Sequence, residues 1–237
     1  MTYAEAVIEH DLAAYISHEL LSCAAKVQLV SEIIGDVHGL AEGIPPSAEV
    51  NLYSVVRTLQ RLGSMALSLD QSANLKPHVL PGPINLATII EETTGLYQAQ
   101  APGRHIHKHV RTPQVQGWGD YNQIQIVVDN LLSNALKYSP PATPITITAE
   151  PYQESLEKGC GQALISVTNV GTFIPPYEQE KIFTKFYRRD RAKQGQGLGL
   201  YLSRRIVELH GGQLDVESLP EGKTTFWFTL PLAGLPH

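Results

Sequence analysis

The sequence predicts an α+β protein in two parts, an N-terminal helical hairpin followed by an α/β sandwich. Up to about Asn74, apolar residues recur at alternating intervals of three and four, which is typical of helices packed along one seam. Pro77, Pro81 and Pro83 then mark a short linker. Beyond it, helical spacings are interspersed with strand-like alternation. We therefore expect two domains, residues 1–76 and residues 84–233.

The N-terminal part is predicted to form two amphipathic helices joined by a turn. Gly39, Gly43, Pro45 and Pro46 interrupt the helical pattern, so residues 35–49 cannot stay helical. A lone hairpin would leave half of its seam open to water, and pairing two copies into a four-helix bundle closes it. The pattern therefore predicts a homodimer. The seam residues are Ile16, Leu20, Cys23, Val27, Val30 and Ile34 in the first helix and Leu52, Val55, Leu59, Leu62, Ala66 and Leu69 in the second.

The second part combines helices with strands. Helical spacing predicts one helix from Leu86 to Gln100, another from Tyr121 to Tyr138, and a third that follows Gly199 and stops at Gly211-Gly212. Because the strands are grouped and the helices are segregated from them, we expect helices on one face of a mixed sheet. Alternating residues predict strands at Thr143 to Ala149, Ala163 to Thr168 and Thr224 to Leu230.

Three histidines alternate along a further expected strand. His105, His107 and His109 share one face of it, so a metal site is conceivable. An exposed edge strand with Ile106 and Val110 facing inward explains the same pattern more simply. We favour the edge strand.

The composition limits the classes of partner. There are 18 Lys+Arg against 23 Asp+Glu, a net charge of −5, which disfavours a nucleic-acid partner. Cys23 and Cys160 form neither a disulfide framework nor a metal-type spacing, so a reducing compartment is the simpler setting. No apolar run approaches the ~20 residues that cross a bilayer, and the first residues are too polar for a secretory signal. The expectation is a cytoplasmic protein with no membrane segment in this chain.

One predicted helix carries a polar stripe. Asn130, Asn134, Lys137 and Tyr138 fall at i, i+4, i+7 and i+8, so they share a face. They could form a ligand-binding wall, with amide oxygens for a hard cation, an ammonium for phosphate and an aromatic edge for a base. They could equally be a solvated helix face. The helix alone leaves these two interpretations about even.

Three further motifs follow in order. The segment from Gly195 to Leu200, Gly-Gln-Gly-Leu-Gly-Leu, would let the backbone approach an anion at a helix start. No strand leads directly into it and no Gly-Lys-Ser/Thr follows, which disfavours Rossmann and P-loop sites. Before it lie Asn169-Val170-Gly171, where a strand ends in a turn, and the aromatic and basic segment from Ile182 to Arg188.

Together these motifs resemble the ATP-binding domain of histidine kinases, in the wider family shared with gyrase-type ATPases. The segment from Asn130 to Ser139 resembles the N box, Asn169-Val170-Gly171 the G1 box, Ile182 to Arg188 the F box, and Gly195 to Leu200 the G2 box. Trp118-Gly119-Asp120 also matches the usual start of the N-box helix. The resemblance covers about residues 10 to 231.

The resemblance implies that the domain binds ATP and Mg²⁺. Asn134 would hold Mg²⁺, and Asn130 would lie near the phosphates. Lys137 would neutralise phosphate charge, and Tyr138 would border the adenine. The G2 residues would form the lid and the helix start that cradle the phosphates: Gly195, Gly197, Leu198, Gly199 and Leu200. Arg188, at the end of the F box, would also belong to the site.

The G1 box departs from the family pattern Asp-x-Gly-x-Gly. Asn169 replaces the aspartate that accepts a hydrogen bond from the adenine amino group, and Phe173 replaces the second glycine. An amide oxygen still accepts that bond, but without charge assistance. We therefore expect weaker ATP binding.

Ser17-His18-Glu19-Leu20 resembles the H box that carries the phosphorylated histidine. His18 sits two residues from both Ile16 and Leu20, about 200° around the helix from each at about 100° per residue. It therefore faces away from the seam, and Glu19 could take its proton during attack on a phosphate. An ordinary surface histidine is the alternative, and His10-Asp11-Leu12 is a competing triplet.

The resemblance thus implies the core of a two-component histidine kinase. It would autophosphorylate His18 with ATP and pass the phosphoryl group to an aspartate in the receiver domain of a response regulator. The alternative is a degenerate pseudokinase that dimerises and binds a regulator without catalysis. Serine-kinase or anti-sigma relatives would share the ATP boxes but lack a histidine-bearing hairpin.

Overall fold

The computed structural model describes residues 81–101, 103–111, 116–152, 161–190 and 197–233. The chain divides into two units, Met1–Leu75 and Lys76–His237, and all described residues belong to the second. The predicted hairpin, with His18 and Glu19, lies outside the described residues, as does Gly195.

The second unit combines helices with strands. In chain order the elements are β1 Gly82–Asn85, α1 Leu86–Gln100, β2 Ile106–Val110, β3 Gln116–Gly119, α2 Tyr121–Tyr138, β4 Ile145–Tyr152, β5 Gln162–Val170, α3 Pro176–Gln179, a 3-10 turn Lys181–Phe183, α4 Gly199–Leu209, β6 Leu214–Ser218 and β7 Lys223–Pro231. None of the helices in the described ranges is both long enough and apolar enough to span a membrane.

The main sheet of the described residues has the strand order β2-β4-β5-β7-β6. The β2–β4 pair is parallel, and the other three pairs are antiparallel. The predicted mixed sheet is therefore confirmed. A smaller antiparallel pair, β1 with β3, joins Gly82 to Gly119 and Asn85 to Gln116.

The sheet buries one face. On β4, Ile145, Ile147 and Ala149 are buried, while the intervening Thr146 and Thr148 are half-exposed. The other strands alternate in the same way, as expected for a sheet covered on one side. Helix α1 contacts β2 and β4, α2 contacts β5, and α4 contacts β6 and β7. The helices thus cover a single face, which confirms the predicted α/β sandwich.

The predicted helices are confirmed with the bounds expected for α1 and α2. Helix α4 ends as expected before the Gly-Gly pair, where Gly211 has a φ of +73°. A Cβ on Gly212 would lie 1.9 Å from the Thr229 carbonyl oxygen, so no larger residue fits.

The expected edge strand is β2, whose His107 and His109 are exposed. The three predicted strands end one to three residues further along than expected, because their ladders continue past the alternating segments.

Candidate functional site

Helix α2 carries most of the predicted ligand residues, and its start is fixed by polar contacts. Asp120 caps it, with Oδ1 accepting from the Asn122 and Gln123 backbone N–H groups at 3.1 and 3.2 Å. The Asp120 N–H donates to His210 Nε2 at 2.9 Å, and His210 Nδ1 lies 2.7 Å from the Ile206 oxygen. This pair of bonds requires the neutral Nδ1–H tautomer. His210 therefore ties the start of α2 to the end of α4.

Asn130 is buried, with 5% of its surface exposed. Its Nδ2 donates to the Gly199 carbonyl oxygen at 3.3 Å and to Ser203 Oγ at 3.2 Å. Both acceptors lie on α4. For this residue the solvated-face interpretation of the polar stripe is wrong, because the amide holds the N-box helix against the first turn of the G2-box helix.

Asn134, Lys137 and Tyr138 are half-buried further along α2. Lys137 Nζ lies 5.1 Å from the centre of the Tyr138 ring. Burial raises the pKa of Tyr138, the charge of Asp190 raises it further, and Arg188 opposes them. The charge of Arg188, at the end of the F box, therefore acts on Tyr138 in the last turn of the N-box helix.

Arg104 holds the C-terminus of α2. Its Nη2 donates to the carbonyl oxygens of Leu136 and Ser139 at 2.7 and 3.0 Å, and its Nη1 donates to the Pro140 oxygen at 2.5 Å. The last carbonyls of a helix have no partners within the helix and carry its negative dipole end. The guanidinium of Arg104 donates hydrogen bonds to these carbonyls and offsets the negative dipole end. Arg104 therefore fixes the last turn of α2, which contains Lys137 and Tyr138.

The G1 turn contacts the same end of α2. A Cβ on Gly171 would lie 2.4 Å from the Tyr138 carbonyl oxygen, so only glycine permits this approach. The Gly171 N–H donates to the Gly222 oxygen at 2.8 Å. Gly222, with a φ of +91°, lies in the turn between β6 and β7 and thereby braces the G1 box.

The buried face of strands β5, β7 and β6 is apolar except at one end, where three polar residues lie. They are Asn169, Thr224 and Ser218, exposed by 4%, 3% and 8%. Ser218 Oγ accepts from the Ile174 N–H at 2.9 Å and lies 2.8 Å from Thr224 Oγ1. Within the described ranges, the Asn169 amide makes no side-chain hydrogen bond; its Nδ2 lies 3.1 Å from the position of a Cβ on Gly171. Neither amide atom of Asn169 is fully buried without a partner, so the amide keeps some access to a ligand or to water.

The F box packs against the G2 glycines. The Phe186 N–H donates to the Gly197 oxygen at 3.0 Å, and a Cβ on Gly197 would lie 2.5 Å from the Tyr187 oxygen. Gly197 has a φ of +72°, while Phe186, at 62°, takes a left-handed conformation that is strained for a side-chain-bearing residue. The strained backbone of Phe186 therefore lies where the F box contacts the G2 box.

Among the residues that the structure describes, helix α4 begins without a side-chain cap, because its N-cap residue is Leu198. Leu198, which precedes it, is buried, and Leu200 in its first turn is half-buried. The first turn contains no acidic residue. Uncapped N–H groups at a helix start favour an anion.

Arg204 connects α4 to the F box. Its guanidinium carbon lies 3.9 Å from the centre of the Phe183 ring, and its Nη1 lies 2.8 Å from Glu180 Oε2. Its Nε donates to the Leu214 oxygen at 3.3 Å. The hydrogen bond and charge of Arg204 lower the pKa of Glu180.

The structure thus brings the four motifs into mutual contact. Asn130 contacts Gly199, Tyr138 contacts Gly171, and Phe186 contacts Gly197. Sequence reasoning missed Arg104, Arg204, His210, Thr224 and Gly222. Only the last two left a signal. Gly222 follows Pro220-Glu221, a pattern that predicts a turn. Thr224 begins a predicted strand, but the alternating pattern does not show that its side chain is buried.

Comparison with known proteins agrees with this geometry. Residues 119–234 match the family described as histidine kinase-, DNA gyrase B-, and HSP90-like ATPases. The chain is 33% identical over 180 residues to the adaptive-response sensory kinase SasA of Synechocystis, covering 74% of this chain and 45% of that protein. It is 33% identical over 187 residues to the sensor protein IrlS of Burkholderia pseudomallei, covering 76% and 39%. The chain therefore spans less than half the length of these relatives.

A solved structure shares the fold. The mycobacterial sensor histidine kinase MprB superposes with a TM-score of 0.56 and 27% identity, covering 65% of this chain and 98% of the other. Residues 119–234 therefore form a domain of the histidine kinase-, DNA gyrase B-, and HSP90-like ATPase family, and the relatives that the chain resembles are named as sensor kinases.

Proposed function

We propose that this protein is the core of a two-component histidine kinase that autophosphorylates His18 and passes the phosphoryl group to a receiver-domain aspartate. The observation that carries the proposal is the convergence of the N, G1, F and G2 boxes through direct contacts around an uncapped helix start. Relatives named as sensor kinases support it.

The residues present fit Mg·ATP. Asn134 is half-buried, and its side chain makes no hydrogen bond within the described ranges, which leaves its amide oxygen available to Mg²⁺. The metal would offset phosphate charge when bound. Lys137 and the first N–H groups of α4 would bind phosphate oxygens, and Gly195 would complete the G2 box. Tyr138 and Asn169 would border the base.

The chemical step is a phosphoryl transfer. A neutral imidazole nitrogen of His18 would attack the γ-phosphorus, forming an N–P bond while the bond to the bridging oxygen breaks and ADP leaves. Glu19 would accept the ring proton. The receiver aspartate would then attack the same phosphorus, forming an acyl phosphate while the N–P bond breaks, and the departing imidazole would take back the proton from Glu19, restoring neutral His18.

Incubation with γ-labelled ATP and Mg²⁺ tests this function. We expect a label on the protein that is lost in acid but kept in base, and that moves to an added receiver domain. Asn134→Ala should weaken Mg-dependent ATP binding in calorimetric titration. Absence of binding at millimolar ATP would instead favour the second candidate, a pseudokinase. The observation that favours this candidate is Asn169, which replaces the aspartate of the G1 box.

The proposal includes a cytoplasmic homodimer held by the hairpin. The apolar seam of the N-terminal helices motivates it. Light scattering at micromolar concentration should give about twice the 26.0 kDa of one chain. Charged replacements of Leu59 and Leu62 should dissociate it, and a stable single-chain mass for the unaltered protein would refute the dimer.

A further inference from the structure

We propose that the base-binding end of the site accepts 6-oxopurine as well as 6-aminopurine nucleotides, because Asn169 can present either end of its amide to the ligand. The inference rests on the proposed nucleotide site. Two buried asparagines, Asn130 and Asn169, differ in how their amides are held.

Asn130 has a fixed orientation. Its Nδ2 meets the Gly199 carbonyl oxygen, which can only accept, and Ser203 Oγ, so a flipped amide would place its oxygen against the Gly199 oxygen. Asn169 is buried to the same degree, with 4% exposed against 5%, yet no side-chain hydrogen bond orients it within the described ranges. Its surroundings therefore do not choose between oxygen and nitrogen.

The neighbours of Asn169 are uncharged. Ile145 and Thr224 lie opposite it on the adjacent strands, and Gly171 lies beside its amide. Phosphate would be drawn instead to the positive charge of Lys137 and to the positive dipole end of α4. An uncharged buried amide suits the polar edge of a neutral heterocycle.

The hydrogen-bond donors and acceptors at position 6 and the neighbouring ring nitrogen are exchanged between 6-aminopurines and 6-oxopurines. A 6-amino group donates and its neighbouring ring nitrogen accepts, whereas a 6-oxo group accepts and the ring nitrogen donates. A carboxylate can only accept, so where it faces the position-6 substituent it pairs with a 6-amino group and opposes a 6-oxo oxygen. The Asn169 amide accepts from one class with its oxygen and donates to the other with its nitrogen.

Adenosine and inosine triphosphates isolate this difference, since they share sugar, phosphates and every base substituent except that at position 6. Displacement of a fluorescent nucleotide from the full chain with Mg²⁺ measures both affinities. We expect the two dissociation constants to agree within about tenfold, because each class forms one neutral hydrogen bond with the amide. Asn169→Asp should raise the preference for the adenine nucleotide by about tenfold or more, since the charged acceptor favours one class and repels the other.

Asn122→Asp is the matched control, because it makes the same chemical change at an exposed position on α2 and should leave the ratio unchanged. If adenosine triphosphate binds and the inosine nucleotide is more than about tenfold weaker with Asn169 in place, the inference is overturned while the proposed function stands. If neither nucleotide binds, the nucleotide site itself is refuted. The ratio measured on the unaltered protein decides the matter even if Asn169→Asp lowers stability.

Discussion

At the scale of single residues, close backbone approaches dominate the site. Gly171 lets the G1 turn reach the Tyr138 carbonyl, and Gly197 lets the F box reach the G2 turn. Both positions were predicted as site residues from the sequence. The reason was only partly predictable, because a sequence shows that a glycine is present but not which backbone atom would collide with a side chain.

Gly171→Ala should destabilise the domain. The added methyl group would lie 2.4 Å from the Tyr138 oxygen, and relieving such overpacking typically costs about 1–3 kcal/mol. Because the shift displaces Tyr138, ATP affinity should fall as well. The free energy of unfolding in urea measures the first effect and calorimetry the second.

Gly95→Ala is the control for that substitution. Gly95 lies within α1 with no atom within 4 Å of an added Cβ, so alanine should stabilise the helix by about 0.5–1 kcal/mol. ATP affinity should not change. Equal stability of the two variants would show that the Gly171 contact has been misread.

At the scale of elements, two arginines that lie outside the recognised motifs fix the helices of the site. Arg104 binds the end of α2, and Arg204 joins α4 to the F box and β6. Helices α1, α2 and α4 could be predicted because their apolar spacing is a local property. The arginine contacts join residues that lie far apart in the sequence or on different elements, so spacing carries no trace of them.

Arg104→Ala should loosen the last turn of α2. It removes donors to three carbonyls, and hydrogen bonds to a charged group contribute about 1.5–3 kcal/mol each at most. We expect a loss of about 1–3 kcal/mol in unfolding free energy, faster amide exchange near Ser139, and weaker ATP binding through Lys137 and Tyr138. Arg111→Ala is the control, since Arg111 is exposed and pairs with Glu150 only at 3.4 Å. A comparable loss in both variants would contradict the capping role.

Arg204→Ala should detach the F box from α4. It removes the stacking on Phe183 and the bond to the Leu214 oxygen, and we expect a loss of about 1–3 kcal/mol in denaturation experiments. The neighbouring Arg205 is exposed and pairs with Glu208 in its own helix, so Arg205→Ala should change stability by less than about 0.5 kcal/mol. Equal stability of the two variants would contradict this role of Arg204.

The salt bridge from Arg204 to Glu180 adds a small pH dependence. Arg204 lowers the pKa of Glu180 in the folded protein. The salt bridge therefore stabilises the fold above the ordinary glutamate pKa, and this stabilisation is lost as the pH falls through the lower pKa of the folded state. Glu180 is exposed, so solvent screening keeps the contribution small. The difference in stability between Glu180→Gln and the unaltered protein should therefore shrink on acidification.

At the scale of the whole molecule, the sandwich and its mixed sheet were predictable from the order of helical and alternating segments. The small β1–β3 sheet was not, because Pro83 and the glycines of β3 are poor strand formers that pair only in this tertiary setting. The ATP boxes could be located by their order along the chain. The polar cluster of Asn169, Thr224 and Ser218 could not, because it joins residues from three strands.

The central claim is that His18 receives the γ-phosphoryl group, and mapping of the labelled residue tests it most directly. After incubation of the full chain with γ-labelled ATP and Mg²⁺, His18→Ala should carry no acid-labile label while binding ATP as before. Glu19→Gln should label about 10²–10⁴-fold more slowly, as expected for loss of a general base. His10→Ala, the matched histidine control, should label normally. Label that persists in His18→Ala and disappears in His10→Ala would contradict the account.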